Sequence, residues 1–303
     1  MNGTTDKMYA PKTKARRAQH DIRGIRYSVS EWGDADSPLL VLLHGWGDAG
    51  GTFQFFVDQL RQDWFVVAPD WRGFGRSSLR ASSYWFPDYL ADLDVLLDLY
   101  SPDKPVRLLG HSMGGNIGAL YAGVMPERVA DFVNVEGFGL RDHDAADAAS
   151  NYRRWLEQSR QGAGYRSYDS LDDLAARVGK RSPRMSADKA LFVSDCWGQV
   201  EADGKVHIRA DPAHKLRNPV LYRRAEAEAC WRQLTARVLI ISGSDSEFHS
   251  DASEWLDAGS AGLSLPDAVH QEIAAAGHMI HFEQPAALAV ATEVFLAAGD
   301  PDL

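Results

Sequence analysis

Short apolar runs alternate along this chain with stretches in which apolar positions recur every three or four residues. The runs at 25–29, 39–43, 64–68, 106–109, 132–135, 238–241 and 271–274 predict strands. Several are unbroken Val/Ile/Leu runs, the pattern of strands covered on both faces. Between them the spacing predicts helices. Over 89–100, Leu90, Leu93, Leu96 and Leu97 share one face, with Asp92, Asp94 and Asp98 off that stripe. Residues 285 to about 297 predict a last helix against the sheet. Such alternation implies an α/β protein with a mostly parallel central sheet flanked by helices.

The alternation breaks between about residues 137 and 233. This stretch carries polar runs, helix-like segments at 152–158, 170–178 and 186–193, and no strand pattern. Inserted between two core strands, it reads as a helical cap. The expected organisation is a loose polar tail over 1–20, a core over 21–136 and 234–303, and the cap over 137–233. A chain of 303 residues suits one domain with such an insertion.

Four short motifs sit at the ends of predicted strands. Gly110-His111-Ser112-Met113-Gly114 follows the run at 106–109 and opens a helical segment. A G-x-S-x-G in that position is a tight strand-to-helix turn that exposes the serine hydroxyl. Ser112 is the candidate nucleophile, and it needs a base to take its proton. The Met113 N–H, at the helix start, is placed to bind a developing oxyanion. His44-Gly45-Trp46-Gly47 follows the run at 39–43, with the Trp46 N–H as the second oxyanion donor and His44 as a brace for the loop. Gly277-His278-Met279-Ile280-His281 follows the last predicted strand. His278 is the candidate base and His281 is read as structural.

Asp70-Trp71-Arg72-Gly73-Phe74-Gly75-Arg76-Ser77 is the fourth motif, and with it the chain resembles the α/β-hydrolases. The resemblance runs through most of residues 25–136 and 235–297 and leaves the insertion blank. It implies the α/β-hydrolase fold, Ser112 as nucleophile, His278 as base and then acid, and a carboxylate that orients the imidazole. The usual place for that carboxylate is a G-x-x-D turn after the run at 238–241. Here the turn reads Gly243-Ser244-Asp245-Ser246-Glu247, with a serine where the aspartate belongs. Glu136, at the end of the run at 132–135, is where some members of the superfamily carry their acid. Glu136 is favoured, Asp245 comes next and Glu247 last. Haloalkane dehalogenases are similar in the core but carry aspartate at the elbow; Ser112 points instead to acyl transfer.

Composition narrows the partners. Net charge is −10, with 42 acidic against 32 basic residues, which argues against nucleic acid or an anionic membrane as partner. No apolar run approaches the roughly 18 residues of a membrane span. Two cysteines, Cys196 and Cys230, suit a reducing, cytoplasmic setting. No cofactor or metal is expected. Asp142-His143-Asp144 with Asp147 matches no recognised ligand spacing and reads as a solvated hinge. Lys180, Arg181 and Arg184 read as cap surface, and Trp155, Trp197 and Tyr222 as cap core. The expected function is hydrolysis of a small-molecule carboxylic ester or lactone. The alternatives are carbon–carbon bond hydrolysis of a diketone-type substrate and small-molecule binding without turnover.

Overall fold

The computed structural model describes residues 8–79, 84–248 and 268–299. Its main sheet has the order β1 (Arg16–Ile22), β2 (Ile25–Trp32), β4 (Phe65–Pro69), β3 (Leu39–Leu43), β5 (Val106–His111), β6 (Val129–Val135), β9 (Arg237–Gly243) and β10 (Val269–Ile273). β1 pairs with β2, and β2 with β4, antiparallel. From β4 to β10 every pairing is parallel.

Period-two alternation splits the strands' apolar residues between two faces. Val41, Leu43, Val67, Leu108, Phe132 and Ile240 face one way. There they meet Leu93, Leu96 and Leu97 of α2 (Phe86–Tyr100) and Ile117 and Ala119 of α3 (Met113–Val124). Leu40, Leu42, Val66, Leu109, Val133 and Ile241 face the other way. They meet Phe56 of the short α1 (Gln54–Val57) and Leu288, Ala289 and Leu296 of the C-terminal Pro285–Ala297 helix. Each such fully buried Leu, Ile or Phe contributes roughly 1.5–3 kcal/mol relative to exposure.

The polar tail expected over 1–20 ends earlier. Residues 1–7 lie outside the described residues, but Arg16–Ile22 forms the edge strand β1. Ahead of it, the Tyr9 hydroxyl and the Lys12 and Thr13 N–H groups all donate to the Asp58 carboxylate. An edge strand needs few apolar residues, which is why RRAQHDI reads as polar chain.

Between β6 and β9 lie α4 (Ala148–Gln161), α5 (Leu171–Arg181), α6 (Ala187–Trp197), the antiparallel hairpin of β7 (Gly198–Val200) and β8 (Val206–Ile208), and α7 (Arg224–Trp231). The three helix-like segments are therefore helices. The hairpin's strands, three residues each, are too short to register as alternation. Leu174, Val178, Ala190, Val193 and Val206 pack on Phe55 and Phe282 of the core. Ala227 and Trp231 of α7, placed by sequence in the cap, belong instead to the core cluster that includes α3. Among the described residues, no helix is long and apolar enough to cross a membrane.

Candidate active site

β5 ends at His111 and α3 begins at Met113, so Ser112 alone makes the turn. Its backbone sits at φ 51°, ψ −114°, in the left-handed half of the map that L-residues avoid. Such strain persists only where the surroundings dictate it. Here the Ser112 N–H donates to the Val135 carbonyl at 2.8 Å. The turn also demands close backbone contact: a Cβ on Gly114 would lie 2.2 Å from the Leu43 carbonyl oxygen. Met113, the first residue of α3, has no intrahelical acceptor for its N–H.

The loop after β3 runs directly beside Ser112. A Cβ on Gly45 would lie 2.9 Å from His111 Nδ1 and 3.2 Å from Ser112 Cβ. His44 braces this loop: Nδ1 donates to the Gly45 carbonyl at 2.7 Å, and Nε2 accepts from the Trp71 N–H at 2.8 Å. Trp46 is half exposed, edge-on to Phe74.

Glu136 follows β6, again with positive φ (59°). Its Oε2 lies 3.0 Å from His278 Nδ1. Its Oε1 accepts from the Gly243 N–H at 2.8 Å, and the Ser246 hydroxyl donates to Oε2 at 2.5 Å. The carboxylate is thus buried with three donors, which fixes its position. With His278 Nδ1 donating to it, Nε2 is left as the free acceptor, the tautomer a general base requires. Asp245 is engaged elsewhere: it pairs with Arg184 of the insertion, which also reaches Glu283 at 3.1 Å. Glu247 is exposed. Ser246 is the residue that sequence reasoning treated only as a loss. The Ser112 hydroxyl makes no hydrogen bond among the described residues; nucleophile–base contacts commonly tighten only around substrate.

A buried polar network lies behind these groups. His111 Nε2 donates to the His278 carbonyl at 2.9 Å. His281 Nε2 reaches Asp48 Oδ2 at 3.2 Å, and Asp48 Oδ1 accepts from Thr52 Oγ1 and Trp197 Nε1, both at 2.8 Å. Trp197 therefore ties the insertion to the core rather than filling only the insertion's interior. Burial would raise the Asp48 carboxyl pKa, but side-chain hydrogen bonds, first from His281 and then from Trp197, help to outweigh it and hold it below the carboxylate range. Burial, reinforced by the neighbouring His281 and His278, pushes His111 well below the usual imidazole range. The Asp142–Asp147 group behaves as turn caps: Asp142 accepts from the Arg224 N–H and Asp144 from the Ala146 N–H. A cleft of about 610 Å³ lined by Trp32, Asp34, Arg61 and Trp64 opens at the N-terminal ends of β3 and β4, at the opposite end of the parallel strands from Ser112.

Residues 38–285 match the family described as alpha/beta hydrolase fold, and the chain belongs to that family. It is 26% identical to a serine hydrolase-like protein of Danio rerio, over 96% of this chain and 92% of that one. It is 27% identical to a 3-hydroxybutyrate-oligomer hydrolase of Cupriavidus necator, over 90% of this chain and 94% of that one. Its fold matches that of the thioesterase domain from the curacin biosynthetic pathway with a TM-score of 0.81, at 22% identity over 93% of this chain and 99% of that domain.

Proposed function

We propose that the chain is a serine hydrolase acting on a small-molecule carboxylic ester or lactone through an acyl-enzyme. The observation that carries this reading is the 3.0 Å contact between His278 Nδ1 and Glu136 Oε2, made beside a serine held in a strained elbow. In the proposed cycle His278 Nε2 takes the Ser112 proton as Oγ attacks the carbonyl carbon. The Trp46 and Met113 N–H groups receive the negative charge on the former carbonyl oxygen. Collapse expels the alcohol, which takes the proton from His278. Water then attacks the acyl-serine with His278 again as base, releasing the acid. In a lactone the alcohol and acid are one molecule. The segment from α4 to β8 acts as a cap over access to the site.

The named relative that hydrolyses 3-hydroxybutyrate oligomers supports an ester, since hydroxy acids join through ester bonds. A fluorophosphonate probe with an aryl ester assay tests the proposal. The wild-type chain should be labelled once and turn over ester. Ser112→Ala should keep its circular dichroism spectrum and lose both. Labelling that survives in Ser112→Ala refutes the nucleophile.

A further inference from the structure

Three wholly buried histidines lie behind the proposed catalytic loops, and they use their nitrogens differently. His44 satisfies both, as described above. His111 uses Nε2 as donor to the His278 carbonyl, an oxygen that can only accept, so its Nδ1 is a bare lone pair. That atom is buried and has no partner among the described residues. His281 directs Nε2 at the Asp48 carboxylate, and its Nδ1 is likewise buried and unpartnered. Native interiors keep few buried polar nitrogens without a partner. Two such nitrogens occur here in neighbouring rings with centroids 4.5 Å apart.

One donor atom from each of Asp48, His111 and His281 lies within 4.8 Å of the others. The three residues are 3%, 1% and 0% exposed. Two imidazoles and one carboxylate suit a borderline divalent transition metal; magnesium and calcium prefer all-oxygen shells. Thr52 and Trp197, both donating to Asp48 Oδ1, are in place to orient the carboxylate as an outer shell.

We propose that Asp48, His111 and His281 form a binding site for a divalent transition-metal ion of the zinc type, set behind the reacting groups. Zinc–nitrogen bonds of about 2.0–2.1 Å bring tetrahedral ligand atoms roughly 3.4 Å apart, so the side chains draw inward as the ion binds. His111 holds the His278 carbonyl and Asp48 ends the Gly45–Asp48 turn, so an ion here grips the base loop and the oxyanion loop together. Occupancy should therefore slow turnover reversibly. Binding does not depend on the hydrolase reading; only that kinetic consequence does.

The test is calorimetric titration of the chelator-stripped full chain with zinc chloride, with metal counting after dialysis. Wild type should hold one zinc ion that Asp48→Asn and His281→Asn each weaken by at least about tenfold. His207→Asn should leave it unchanged, because His207 belongs to an exposed pair with Asp203. X-ray absorption of the zinc-loaded wild type should give nitrogen and oxygen ligands without sulfur, which separates this site from Cys196 and Cys230. Circular dichroism checks each variant's fold, and if both variants unfold the absorption spectrum alone decides. Absence of stoichiometric binding, affinity unchanged in both variants, or sulfur ligation overturns the proposal.

Discussion

Ser246 donates its hydroxyl to Glu136 Oε2 at 2.5 Å, the same oxygen that lies 3.0 Å from His278 Nδ1. The turn after β9, where the resemblance expects the acid itself, therefore supplies a donor to an acid borne by the neighbouring strand β6. The Gly243 N–H of that turn holds the other oxygen.

If Glu136 orients the imidazole, Glu136→Gln should lower kcat by about 10³–10⁴-fold with little change in KM, because the amide favours the wrong imidazole tautomer. Asp245→Asn should change kcat only a few-fold. It loses an ion pair with Arg184 that is partly open to solvent, and such pairs contribute about 1 kcal/mol or less. Ester kinetics on both variants check this, and equal losses would count against Glu136.

The hydroxyl of Ser246 makes a separate prediction. Ser246→Ala removes one of three donors to a buried carboxylate, so kcat should fall roughly tenfold, the effect of about 1.5–3 kcal/mol per charged hydrogen bond at its lower end. Ser246→Asp in the wild-type background puts two carboxylates within hydrogen-bond reach, and like charges so placed cannot both ionise. In the Glu136→Gln background the same aspartate stands where the resemblance expects the acid. The double variant should then recover at least about tenfold of the lost kcat. No recovery would mean that the turn cannot present an acid to His278.

Much of this was legible in the sequence, for reasons that differ by element. Strands such as Leu39–Leu43 are buried on both faces and carry unbroken apolar runs, so their bounds show directly. β1 is hidden because its partners on the sheet edge tolerate Arg, Gln and Asp. The elbow is readable because its glycines answer to backbone collisions that any α/β turn of this kind imposes. The Glu136–His278 pair bridges 142 residues, a distance at which no local pattern reports. The Asp48–Trp197 bond between core and insertion is hidden for the same reason: it joins segments 149 residues apart.

Gly45 offers a test of the oxyanion loop that leaves every proposed catalytic side chain intact. A methyl there would meet His111 Nδ1 at 2.9 Å and Ser112 Cβ at 3.2 Å, so the loop must retreat from the elbow. Gly45→Ala should cost about 10²–10³ in kcat, the scale of losing one oxyanion donor. Fluorophosphonate labelling should slow in parallel, and the thermal midpoint should fall by only a few degrees. A variant that keeps full kcat would place the oxyanion donors elsewhere.

Acid stability should depend on His214. Its ring stacks on Phe74 with centroids 3.7 Å apart and lies 3.8 Å from Tyr84, with Nε2 donating to the Arg72 carbonyl. Burial pushes its pKa down to about 4. In the unfolded chain an imidazole takes up its proton near pH ~6.5. Between those values the unfolded chain binds the extra proton and the folded one does not, so protonation favours unfolding. This contribution is complete above pH ~6.5, shrinks as pH falls, and is gone below about 4, a loss on the order of 3 kcal/mol. His44 and His111, also lowered by burial, act in the same direction. Thermal melts at intervals between about pH 7 and pH 4 should therefore show a steep decline. His214→Gln, which cannot titrate, should start from a lower midpoint and decline less steeply. Parallel slopes in the two proteins would show that the stacked ring takes up its proton as readily when folded as when unfolded.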